Sequence, residues 1–248
     1  MYNSEHTDFI TTPLLSILRN GFDASKGIGD SMEGYPLADY LLESLFIRLT
    51  GALEQKLKCI CWDIATVDYE YRYEYLNNKN YGECSDYKSK NGIYNDLIDA
   101  IKKHDVNFEP LDVLNKSFMD DVLGETNRLF ETSVMNVWKK KEYVFYQNNH
   151  GSILKESQIG QEKQAGAKSY ALLQSSFKEK YESIVYKHRN RCAHNTLSYQ
   201  VNKPDLNVIA NVDFDYHNYF FRYAMIVVVD SIFISLYKKL IEVMPERY

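Results

Sequence analysis

Between Lys187 and Asn195 the chain reads Lys-His-Arg-Asn-Arg-Cys-Ala-His-Asn, and two of these residues, Arg189 and His194, can divide a phosphoryl reaction between them. An arginine keeps its charge at any physiological pH and presents a planar fork matched to phosphate oxygens. A histidine takes up or gives a proton near neutrality. Cutting RNA without a metal needs a base for the ribose 2′-hydroxyl, a cation for the phosphorane and an acid for the departing 5′-oxygen. One Arg–His pair supplies part of that set. Two copies related by a two-fold axis supply two arginines and two histidines around one phosphate. The same cations also suit a structural role at a helix C-terminus, where both interact well with the dipole.

The elements around this segment decide whether the two side chains can meet. Tyr170, Leu173, Phe177, Tyr181, Ile184 and Val185 recur at helical intervals and predict a helix from Ser169. Arg189 continues that inward stripe four residues after Val185, and a guanidinium there needs a partner or an anion. His194 lies five residues further on. In an unbroken helix the two positions point about 140° apart and are separated by about 7.5 Å along the axis. They converge on one phosphate only if the helix ends between them or a second copy supplies the other partner. Asn195 reads as a left-handed cap, which puts the motif at a helix C-terminus facing a cleft.

Other charges near the motif extend the possible contact. His188 and Arg191 are candidates for holding flanking phosphates, whereas Lys187 reads as a solvated last turn. Lys139 and Lys140, in the run Lys139–Lys141, are a second candidate RNA contact, although such runs usually form a wet face. His104, His150 and His217 have no motif around them, and Cys192 reads as a small packing residue.

Further from the motif, residues 1–36 carry Gly21, Gly27, Gly29, Gly34 and Pro36 and read as an irregular extension. From Leu37 to about Ile64 apolar residues recur at helical spacing, with Pro36 near the start of the helix. That helix can continue through the Tyr69–Tyr75 stretch. Residues 77–92 read as a surface loop, 93–104 and about 111–141 as helices, and 143–168 as a connecting insertion. Residues 196–213 read as an extended loop around Pro204. A last helix over about 214–243 is apolar nearly all round, which implies burial against several neighbours. The sum is an all-α bundle of four to five helices, divided into an extension (1–36) and a helical domain (37–248) with insertions near 77–92 and 143–168.

Composition agrees with a folded α-protein. Of 248 residues 45% are hydrophobic and 25% charged, and only 11 glycines and 5 prolines are present, too few for a turn-rich β architecture. The net charge of −5 places any RNA contact on a local patch rather than on the whole surface. Cys59, Cys61, Cys84 and Cys192 lack the paired spacing of a zinc site, so no metal and no cofactor are expected. Residues 1–30 carry no apolar secretory core, and the longest apolar run, Ala224 to Val229, is too short to span a bilayer, which leads to the expectation of a cytoplasmic protein without a membrane partner.

The segment Arg189-Asn190-Arg191-Cys192-Ala193-His194 resembles the motif of the HEPN superfamily, an arginine, a polar residue and a histidine five positions after the arginine. The resemblance implies an all-α bundle of four to five helices and places Arg189, Asn190 and His194 in a catalytic site. Glu54, in the first long helix, resembles an acid that many members carry there and enters as an auxiliary residue. The implied activity is metal-independent endoribonuclease, leaving 2′,3′-cyclic phosphate and 5′-hydroxyl ends, with a homodimer bringing two motifs together. The implied partners are tRNA or messenger RNA and an antitoxin or phage-derived trigger, in a toxin or anti-phage role. Thr196 stands where one subgroup carries a tyrosine, so control by adenylylation of that position is not implied. The alternative is a non-catalytic HEPN-like module that binds RNA or protein.

Overall fold

The computed structural model describes residues 4–28, 34–160, 169–194, 206–210 and 212–244. They fold as an all-α assembly, and among them no β-strand forms; an isolated antiparallel bridge joins Ile159 to Leu173. The axis of the molecule is the last long helix, Tyr219–Val243, which we label α12 after its place in chain order. Its apolar residues are buried from Phe220 through Val229 to Ile241, because neighbouring helices cover most of its surface; Lys238 near its end is exposed. Those neighbours are α1 (Thr7–Thr11), α2 (Leu14–Ala24), α3 (Tyr35–Val67), α5 (Tyr87–Lys102), α6 (Lys116–Thr132) and α8 (Lys140–Ile153). None of the described helices is long and apolar enough to cross a membrane.

The expectation of an irregular N-terminal extension is corrected. Residues 7–24 form α1 and α2, and Ile10, Leu14, Leu15, Leu18 and Phe22 are buried in the common core. Leu14, Leu18 and Phe22 already lie at i, i+4, i+8, and Gly21 sits inside this helix without breaking it. A buried ion pair fastens the segment. Lys56 Nζ donates to Asp230 Oδ1 at 2.7 Å and to the Thr12 carbonyl at 2.5 Å, while Asp230 Oδ2 accepts from the Leu14 amide at 2.8 Å. Asp230 of α12 therefore does for α2 what its own N-cap, Pro13, does not.

Helix α3 covers the predicted 37–64 stretch and ends at Asp68, where the backbone turns extended. The Asp68 carboxylate then accepts from the Tyr71 amide at 3.0 Å and starts a separate helix, α4 (Tyr69–Asn77). The loop expected over 77–92 is shorter, because Asp86 caps α5 by accepting from the Ser89 amide at 2.6 Å. The helix expected over 111–141 is divided into α6 and α7 (Met135–Trp138), with extended backbone at Ser133. The insertion expected over 143–168 is also corrected. Its first half belongs to α8, with Tyr143, Tyr146 and Ile153 buried against the core, and residues 161–168 lie outside the described residues. These extra helices bring the bundle above the four to five expected.

The segment from Ser175 positions the motif. Helix α9 (Ser175–Tyr181) passes through one π-helical stretch, Glu182–Tyr186, into α10 (Lys187–His194). Tyr170 and Leu173, predicted as its first turn, are instead buried in extended chain. The π-stretch packs on α12 and α10 packs on α3. A short turn of helix, α11 (Leu206–Ile209), falls within the predicted 196–213 loop, most of which lies outside the described residues.

Candidate functional site

Arg189 and Glu54 meet across 135 positions of sequence. Arg189 Nη2 donates to Glu54 Oε2 at 2.9 Å, joining α10 to the middle of α3. The Arg189 side chain is 25% exposed and that of Glu54 12%, so the pair is partly open to solvent rather than sealed in the core. Arg189 Nη1 also reaches Asn190 Oδ1 at 3.5 Å. The backbone of His194 closes α10; its side chain, like Asn195 and Thr196, lies outside the described residues.

Around this pair stand residues that carry no motif in the sequence. Lys58, one turn after Glu54 on α3, is ion-paired with Glu83, whose carboxyl is held below the usual range first by Lys58 and further by Arg189. Lys90 of α5 is buried and donates to the carbonyls of Cys84 and Ser85 at 2.7 and 2.6 Å. It thereby pins the loop that carries Glu83, in which Cys84 adopts a left-handed backbone with φ of 57°. Burial lowers the Lys90 pKa to about 8, and Arg189 pushes the same way, while Glu54 opposes both. Alternating charge thus runs from the half-exposed Lys58 and the exposed Glu83 through the partly buried Glu54 and Arg189 to the buried Lys90.

The expectation that His188 holds a phosphate is corrected. His188 is 5% exposed, with its ring 4.9 Å from that of Phe46 and 5.7 Å from that of Tyr219. Arg191 Nη2 lies 3.3 Å from Nδ1, and since a guanidinium can only donate, Nδ1 is the acceptor and the proton sits on Nε2. Nε2 faces the Tyr219 hydroxyl at 3.4 Å and Cys192 Sγ at 3.5 Å. Burial, with Arg222, Arg191 and His217 adding to it, pushes the pKa down to about 2, so the ring is neutral. Ile184, His188 and Cys192 share the inward stripe of the helix, a spacing that marks His188 as interior. Burial, then Glu43, pushes the Cys192 thiol up to about 12, in keeping with a packing residue.

The remaining candidates fall on another face. Arg191, half-buried, points from α10 toward His188 and not toward Glu54. Lys139 pairs with Asp39 at 2.5 Å, and Lys140 Nζ stands 5.7 Å from the centre of the Tyr143 ring. Both lysines line a cavity of about 380 Å³ together with His217 and Asn218; Arg189 and Glu54 do not line it. The second candidate contact thus lies on a different surface from the Arg189–Glu54 pair.

No protein-family model, no curated protein and no solved structure matches the chain.

Proposed function

We propose that the protein is a metal-independent endoribonuclease, with Arg189 holding the scissile phosphate, His194 moving a proton and Asn190 and Glu54 orienting the guanidinium. The observation that carries this reading is the pairing of Arg189 with Glu54 at 2.9 Å in a partly open position. A fork held by one carboxylate keeps N–H donors for a phosphate oxygen and is already oriented when substrate arrives. Attack of the 2′-oxygen on phosphorus with loss of the 5′-oxygen leaves a 2′,3′-cyclic phosphate and a 5′-hydroxyl. The 2′-proton passes to a neutral imidazole, and a protonated imidazole supplies the proton that the 5′-oxygen takes.

Helix α10 is unbroken from Lys187 to His194, so the first route to convergence, a helix end between the two residues, does not operate. Positions about 140° apart on one helix serve one phosphate through two-fold symmetry, and a homodimer is part of the proposal. Choice of tRNA or messenger, a toxin or anti-phage role and an antitoxin or trigger rest on the resemblance alone, and a cytoplasmic setting rests on the reading of residues 1–30 and of the apolar runs. One observation also favours the non-catalytic reading: an Arg–Glu pair between two helices is what a purely structural ion pair looks like. Cleavage decides between them. Purified protein incubated with total tRNA and messenger RNA in EDTA is expected to give fragments with cyclic-phosphate ends. Arg189→Ala and His194→Ala are expected to abolish them with helical content unchanged; fragments appearing at wild-type rate with either variant would overturn the mechanism.

A further inference from the structure

The cavity of about 380 Å³ between the beginnings of α8 and α12 is lined by aromatic, cationic, polar and acidic groups. Trp138, Phe145 and Phe214 present aromatic surface. Lys140 and Lys141 supply cations, and Arg191 and Arg222 stand close enough behind to act on His217. Helix α8 starts there without a side-chain cap, so amides of its first turn remain as donors at the positive end of the helix. Asn218 caps α12 by accepting from the Phe221 amide at 3.2 Å, and this second N-terminus faces the same space. His217 stacks on Phe214 with ring centres 6.0 Å apart, and among the described residues its buried Nδ1 has no hydrogen-bond partner. The carboxylates of Glu142 and Asp215 complete the lining.

We propose that this cavity binds a nucleoside phosphate. Its volume falls within the range of small-molecule sites, about 300–1,000 Å³. An aromatic face suits a base, which stacks on such rings whatever its identity. Lys140, Lys141 and the open first turn of α8 suit the phosphate. Asp215 suits the ribose hydroxyls. An apolar ligand would leave the lysines and amides unpaired, and inorganic phosphate alone would leave the aromatic surface uncovered. The nucleotide can be free or part of an RNA strand; the chemistry of the site is common to both, and it stands whether or not the Arg189 site cleaves.

Trp138 and Trp62 are the two tryptophans of the chain, and Trp62 is 68% exposed, so Trp62→Phe leaves Trp138 as the reporter inside the site. That protein is titrated in EDTA with 5′-AMP, with 5′-GMP and with a short single-stranded RNA, following Trp138 emission and, in parallel, heat by calorimetry. Saturable binding is expected. The double substitution Lys140→Ala with Lys141→Ala is expected to weaken it about tenfold or more, and Lys88→Ala, an exposed lysine on α5, to leave it unchanged. Binding of mononucleotides identifies a free nucleotide as ligand; binding of the RNA alone, lost in the double variant, identifies a nucleotide of a strand. Absence of binding by both readouts, or equal binding by the double variant with its helical content intact, overturns the proposal.

Discussion

Two side chains on one turn of α10 show how far neighbours decide what a residue type does. Arg189 is a quarter exposed and meets a carboxylate; His188, beside it in sequence, is enclosed by Phe46, Tyr219 and Cys192. The buried imidazole has a consequence for stability. Its pKa is near 6.5 in the unfolded chain and about 2 when folded, so between those values the unfolded state binds more protons. Its contribution is complete above pH 6.5 and is lost as the pH falls, by on the order of 1 kcal/mol per pH unit. His217, lowered to about 4 by burial, Arg222 and Arg191, acts in the same direction. Urea denaturation at pH 7 and pH 5 is expected to show a smaller loss for His188→Gln than for the wild type. Equal losses would mean that His188 is protonated in the fold. At this scale the residues singled out by the resemblance, Arg189, Asn190 and Glu54, lie together in the structure, whereas His188 of the same segment points into the core instead. Lys58, Glu83 and Lys90 were not readable, because what brings them to the site is tertiary packing between α3, α5 and a loop, with no local spacing to announce it.

Elements were legible in proportion to their periodicity. Helices α3 and α12 could be read from sustained apolar repeats, whereas α2 and α8 could not, being shorter and dressed with glycines or polar residues. Both are held by tertiary contacts more than by propensity. For α2 the decisive contact is the one between Lys56 and Asp230, whose side chains are 3% and 1% exposed. Burial lowers the Lys56 pKa and raises that of Asp230, and each partner opposes the effect on the other. Removing Asp230 leaves the Lys56 charge in the core and uncaps α2, a loss of about 3 kcal/mol or more. Asp230→Ala is therefore expected to unfold at markedly lower urea concentration, and Lys56→Met with Asp230→Leu to recover much of the difference. A single Asp230→Ala as stable as the wild type would show that α2 docks through its apolar stripe alone.

For the molecule as a whole, the phase of α10 connects fold to assembly. If Arg189 and His194 act on one phosphate only across a two-fold axis, two inactive variants can repair each other. A protomer with Arg189→Ala still carries His194, and one with His194→Ala still carries Arg189. In a mixed dimer one composite site combines the intact arginine of one chain with the intact histidine of the other. After unfolding and refolding together in equal amounts, random pairing puts about half of the dimers in the mixed form. Cleavage by the refolded mixture is expected to return to a measurable fraction of wild-type rate, with each variant alone remaining inactive. Mass analysis under native conditions verifies that mixed dimers are present. If they are present and no cleavage returns while refolded wild type is active, the shared site with a single imidazole is overturned: either each chain completes its own site or the phosphate needs both histidines at once. Because α10 is continuous through both positions, recovery in the mixed dimer is the outcome expected if one arginine and one histidine, from opposite chains, suffice for a shared phosphate, the single imidazole taking the 2′-proton and then giving a proton to the 5′-oxygen.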